Sequence, residues 1–164
     1  MSFLLPAGEG ASVSLGGLGV RFMLGGDETG GGFSLVEHPL APRALAAPVH
    51  THTREDEYSY VLAGRVGVLV GEEELVAGPG DLVRKPRDIP HSFWNAGDEP
   101  ARVLELISPA GFERYFEELA PLLAGGGAPD VGALGELRAR YGLSMDMDSV
   151  PVLLERHGLV VIRG

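Results

Sequence analysis

Short runs in which apolar and polar residues alternate with a period of two fill the first two thirds of the chain, as expected of half-buried strands. Val20–Leu24 and Phe33–Glu37 form the first pair, parted by the glycine-rich segment Gly25-Gly26-Asp27-Glu28-Thr29-Gly30-Gly31-Gly32. Val49–Thr51, Glu57–Ala63, Arg65–Val70 and Leu82–Lys85 follow, and Arg102–Ser108 adds one more before Pro109. The intervening Ala63-Gly64, Gly71-Glu72-Glu73 and Ala77-Gly78-Pro79-Gly80 all have turn chemistry. Strand succeeds strand with no room for crossover helices. The pattern therefore predicts antiparallel hairpins closed into a sandwich or barrel. The glycine-rich segment lacks a Gly-Lys-Ser/Thr ending and reads as a flexible hairpin connection rather than a phosphate cradle.

Past Pro109 the apolar spacing turns helical. Phe112, Tyr115, Phe116, Leu119, Leu122 and Leu123 share one face of a helix that begins near Pro109 and ends at Gly125-Gly126-Gly127. Asp130 is placed to cap a second helix with the stripe Leu134, Leu137 and Tyr141, stopped by Gly142. A third, short helix begins at Ser149-Val150-Pro151 and ends at Gly158. None is long enough to stand alone, so each must bury its stripe on the barrel or on a second subunit. The organisation expected is a β-barrel over 1–110 and a helical appendage over 111–164.

Composition narrows the possible partners. The 164 residues carry 13 basic and 23 acidic side chains, a formal charge of −10, which repels nucleic acid and anionic membrane surfaces. With 45% hydrophobic residues a sizeable core is available. There is no cysteine, so disulfides, thiolate metal sites and cysteine nucleophiles are all excluded. The opening Met1-Ser2-Phe3-Leu4-Leu5-Pro6 has no basic flank and reaches proline before an apolar core can form. No run is long enough to span a membrane. The expected location is the cytoplasm.

The few histidines are His38, His50, His52, His91 and His157. His50 and His52 lie two apart on a strand, so both imidazoles point to one face. A turn over Thr53–Asp56 would bring Glu57 beside them, and His91 arrives from a later strand. Three imidazoles and a carboxylate form a nitrogen and oxygen site for a divalent transition metal. Glu37, Ser59 and Val61 share strand faces that suit a cavity lining, and Phe93 follows His91 on its face. Trp94, Tyr58 and Tyr60 point the other way, toward packing or an interface. His38 and His157 read as structural or surface residues.

These residues resemble the two motifs of the cupin superfamily. His50-x-His52-x4-Glu57-x6-Gly64 matches the first, and Gly80-x5-Pro86-x-Asp88-x2-His91-x3-Asn95 matches the second. Ala44 and Asp88 stand where the motifs have glycine. The tail blocks Gly111–Leu119 and Leu137–Gly142 resemble those of small single-domain, quercetinase-like cupins. The resemblance implies an all-β fold, a double-stranded β-helix (jelly-roll) barrel with a C-terminal helical appendage. It implies His50, His52 and His91 as metal ligands and Glu57 as a fourth ligand or catalytic base. Glu55 and Asp56 are then left as solvated turn acids. The implied cofactor is Fe, Ni, Co, Mn, Cu or Zn. The implied activity is a dioxygenase acting on a small chelating enediol or flavonol. A non-catalytic ligand-binding cupin and a metal-assisted isomerase or lyase are the alternatives. The expected partners are a small-molecule substrate and a second copy of the chain, as a homodimer.

Overall fold

Two antiparallel sheets enclose a common interior in the computed structural model, which describes residues 3–124 and 128–162. In chain order the first elements are β1 (Ser12–Ser14), β2 (Gly19–Leu24), α1 (Gly26–Thr29), β3 (Ser34–Leu40), β4 (Val49–His52) and β5 (Asp56–Ala63). β6 (Val66–Val70), β7 (Glu73–Ala77), β8 (Leu82–Lys85), β9 (His91–Asn95) and β10 (Ala101–Ser108) complete the barrel. The tail forms α2 (Glu113–Leu123), α3 (Val131–Arg140), β11 (Leu143–Asp146) and α4 (Ser149–His157). One sheet has the order β1-β2-β3-β10-β5-β8 and the other β11-β4-β9-β6-β7. This is a jelly roll with C-terminal helices. The expected end of α2, Gly125-Gly126-Gly127, lies outside the described residues, as do Met1 and Ser2.

Alternation places the interior. Glu57, Ser59 and Val61 on β5 and Val103, Glu105 and Ile107 on β10 are buried, while Tyr60 between the former and Arg102 just before the latter are exposed. Register then sets the neighbours: Glu57 lies opposite Ile107 and Lys85, and Glu105 opposite Ser59 and Val36. One part of the interior is apolar, built on Leu18, Leu40, Val61, Val66, Val68, Phe93 and Val103. Elsewhere Phe112, Tyr115 and Phe116, from α2 and the residue before it, join Leu137 and Leu143 over Val36 and Ile107. Burying each large side chain of that cap is worth about 2 kcal/mol, more than the intrinsic propensity of so short a helix supplies.

Two tight contacts explain particular residues. A Cβ at Gly67 would lie 2.1 Å from Trp94 Nε1, so the indole can cross β6 only over glycine. Asn95, fully buried, donates from Nδ2 to the Ala41 and Glu99 carbonyls and accepts from the Gly97 amide. This amide ties the end of β9 to two loops and serves the fold.

The tail is not wholly helical. β11 pairs with β4, placing Met145 opposite His50 and Leu143 opposite His52. Leu-Ser-Met-Asp is too short an alternation to stand out from a helical context. α1 occupies part of the segment read as a flexible connection. The N-cap at Asp130 forms as expected, its carboxylate accepting from the Gly132 and Ala133 amides. No helix among the described residues is long and apolar enough to cross a membrane.

Candidate metal centre

His50 and His52 project inward from β4, and His91 on β9 lies directly opposite His50. Glu57 enters from β5 in the other sheet. One ligand atom from each of these four buried residues lies within 4.8 Å of all the others. The backbone orients two of the rings. His50 Nδ1 donates to the Pro48 carbonyl at 2.8 Å and His91 Nδ1 to the Ile89 carbonyl at 2.9 Å, which leaves both Nε2 lone pairs for a ligand. His91 Nε2 then stands 3.2 Å from Glu57 Oε2, two acceptors that need a cation, proton or metal, between them. Both His52 nitrogens are buried with no hydrogen bond. Orphaned imidazole nitrogen beside a carboxylate is the state a metal ion relieves. The donor set of three histidines and one glutamate suits a divalent transition metal and could hold one.

Charge surrounds this cluster on one side. The Lys85 ammonium bridges Glu57 Oε2 at 3.0 Å and Glu105 Oε2 at 3.1 Å, and Ser59 Oγ donates to Glu105 Oε2 at 2.6 Å. Lys85 and Glu105 are each 1% exposed. Burial pushes the Glu57 carboxyl up, yet Lys85, His52 and the His91 hydrogen bond together hold it well below the usual carboxylate range. Burial raises the Glu105 carboxyl to about 7, with Lys85 offsetting part of the effect. Burial also lowers Lys85, but the two carboxylates outweigh it and raise the ammonium above its ordinary value. Burial, helped by His91 and His52, lowers His50 to about 3.

Several expectations need correction. Glu55 is not a solvated turn acid: it is 5% exposed, with Oε2 3.5 Å from His52 Nδ1. Asp56 does face solvent, paired with Arg87 at 2.8 Å. Glu37 does not line the interior but sits outside β3, clamped between Arg21 and Arg102. His38, read as a structural or surface residue, is buried on the inner face of β3, against Phe93 and Phe116. Phe93 lines the interior as expected, beneath Lys85. Trp94 packs outward on the tail, stacked on His157 at 4.3 Å. Lys85 and Glu105 carry a signal of their own in the sequence: inward strand parity at a position where only a paired charge is tolerated.

A family model described as a cupin domain matches residues 37–107. KdgF from a Halomonas species superposes with a TM-score of 0.60 at 21% identity, over 70% of this chain and 99% of that one. An RmlC-like cupin from Shewanella frigidimarina gives a TM-score of 0.59 at 20% identity, over 70% and 96% of the two chains. Residues 37–107 thus carry a cupin domain, and the fold around them is that of the cupins. A cupin sugar phosphate isomerase from Silicibacter pomeroyi is 28% identical, with a TM-score of 0.50 over 56% of this chain and 59% of that one. No curated protein sequence matches the chain. In this fold both departures from the motifs are absorbed. Asp88 takes the left-handed conformation with φ 64°, its amide donating to the His52 carbonyl, and Ala44 is fully buried in the wall.

Proposed function

We propose that this cupin is a metal-dependent enzyme that moves protons on a small hydroxylated substrate chelating through two neighbouring oxygens, as an isomerase or lyase. The observation behind this reading is the buried Lys85–Glu105 pair placed against the His50, His52, Glu57 and His91 quartet. A divalent metal held by that quartet would polarise a chelated oxygen and acidify the adjacent hydroxyl and C–H groups. Glu57, kept ionised by Lys85, is a good ligand and a weak base, so the ligand role is favoured for it over the base role. Glu105, at about 7, has the base strength suited to proton transfer near neutrality. The similarity to a cupin sugar phosphate isomerase agrees with this class of chemistry.

A second reading, dioxygenation of an enediol or flavonol as in quercetinase-like cupins, is favoured by the donor count. Four protein ligands on a six-coordinate ion leave two positions for substrate and dioxygen. One experiment separates the readings. The protein is loaded in turn with Fe(II), Mn(II), Co(II) and Ni(II) and given a panel of enediols, flavonols and hydroxyketones. Oxygen uptake and product spectra are followed together. Rearranged or dehydrated product without oxygen uptake supports proton transfer, and stoichiometric uptake moves the assignment to dioxygenase. Metal binding without turnover of any compound would leave a ligand-binding module. For assembly, the outward Tyr58, Tyr60, Leu82, Leu104 and Leu106 give the outer face of the sheet an apolar patch, beside the Arg21–Glu37–Arg102 cluster, that supports a homodimer.

A further inference from the structure

The three imidazoles of the quartet are not backed alike. His50 and His91 turn Nδ1 to the carbonyls of Pro48 and Ile89 at 2.8 and 2.9 Å, neutral acceptors from their own loops. His52 Nδ1 is buried with no hydrogen bond among the described residues. Glu55 Oε2, also buried and without a hydrogen bond, stands 3.5 Å from it. On the other side of the ring, Nε2 lies 3.5 Å from Glu57 Oε1. The imidazole thus sits between two carboxylates, of which only Glu57 belongs to the cluster of four.

The turn from β4 to β5 holds Glu55 in this place. Before it, Thr53 donates to the Gly142 carbonyl from its amide at 3.1 Å and its hydroxyl at 3.0 Å, and Arg54 Nη1 donates to the Arg140 carbonyl at 2.9 Å. After it, Asp56 accepts from the Arg87 amide at 2.9 Å and from Arg87 Nη2 at 2.8 Å. The His52 ring is braced in turn by Phe112, edge-on at 4.3 Å. A buried carboxylate without a hydrogen bond costs the fold stability, so its place beside Nδ1 calls for a role other than folding.

We propose that Glu55 is a positioning residue of the metal centre, accepting a charged hydrogen bond from His52 Nδ1 and so presenting Nε2 to the metal. This inference rests on the metal reading of the quartet and is independent of the class of reaction. A carbonyl behind an imidazole fixes its tautomer; a carboxylate fixes it and also raises the basicity of the other nitrogen. His52 is then the most strongly donating of the three rings. Closing 3.5 Å to hydrogen-bond length takes a shift of about half an ångström. Glu55 also supplies negative charge where it is needed, because Glu57 shares its own with Lys85 at 3.0 Å.

The test is Glu55→Gln, which keeps the shape of the side chain and removes its charge. Co(II) affinity, measured in competition with a chelator, should fall about tenfold. The metal-free variant should unfold in urea at the same or a higher concentration than wild type, since a lone buried carboxylate has gone. In NMR of the Zn(II)-loaded, isotope-labelled protein, the Nδ1 proton of His52 should move upfield while those of His50 and His91 stay. An unchanged affinity overturns the inference. So does a weaker affinity accompanied by shifts of all three ring protons or by a marked loss of metal-free stability, the marks of a structural role. A wild-type His52 that carries its proton on Nε2 rejects it as well. Wild-type protein that takes up no Co(II) overturns the metal reading together with this assignment. Should the variant not fold, the wild-type spectrum decides: a His52 Nδ1 proton downfield of the other two supports the charged bond, and one level with them rejects it.

Discussion

The two sheets bring opposite chemistry to one interior. From the five-stranded sheet, β4 and β9 present imidazoles, two of them oriented by a carbonyl of their own flanking loops, Pro48 and Ile89. From the six-stranded sheet, β5, β8 and β10 present Glu57, Lys85 and Glu105, oriented by one another. Neutral donors need only a nearby backbone acceptor to be set in place. Buried charges need partners of opposite sign, and those have to come from neighbouring strands at the right register. One wall is assembled locally, and the other exists only once three strands have paired.

Lys85→Met should disturb this balance most. It leaves Glu57 and Glu105 buried without their cation, and we expect a loss of about 3–5 kcal/mol in urea unfolding, partly restored by adding Glu105→Gln. A loss too small to measure would mean that the charged wall carries no charge. The walls should also titrate in opposite senses in the metal-free protein. Glu105 is raised from 4.5 to about 7, so its contribution is full below pH 4.5 and is lost as pH rises through about 7. His50 is lowered from 6.5 to about 3, so its contribution is full above pH 6.5 and is lost as pH falls through about 3. Glu105→Gln should therefore remove a decline of about 3 kcal/mol between pH 4.5 and 7, measured by unfolding across that range. If the decline survives in the variant, its source lies elsewhere. The smallest effect belongs to the imidazole wall: Glu55→Gln, beside His52 Nδ1, should weaken Co(II) binding about tenfold in competition with a chelator. An unchanged affinity would show that His52 needs no carboxylate behind it.

Much of this was legible in the chain. Strand parity alone put His50 and His52 on one face, and turn chemistry set the order of most barrel strands. The helical spacing after Pro109 located α2, and Asp130 marked the start of α3. The partnership of Lys85 with Glu105 was not legible, because it depends on β8 and β10 both flanking β5, a property of sheet order. Glu55 was misread for a related reason: a turn acid is normally solvated, and only the closeness of the β4–β5 connection to His52 buries this one. Glu37 obeyed its strand period, but that period faced it outward, and no local signal distinguishes the two faces of β3.

The pairing of β11 with β4 gives the tail a part in the timing of folding. The strand that carries His50 and His52 receives its outer neighbour from residues about ninety positions later in the chain. During synthesis that edge stays uncovered until the tail has emerged, open to pairing with another chain in the meantime. So distant a closure is expected to form late in folding. The sheet that bears the imidazoles is therefore completed by the last third of the sequence, and shortening the tail would expose the edge of β4 as well as removing helices.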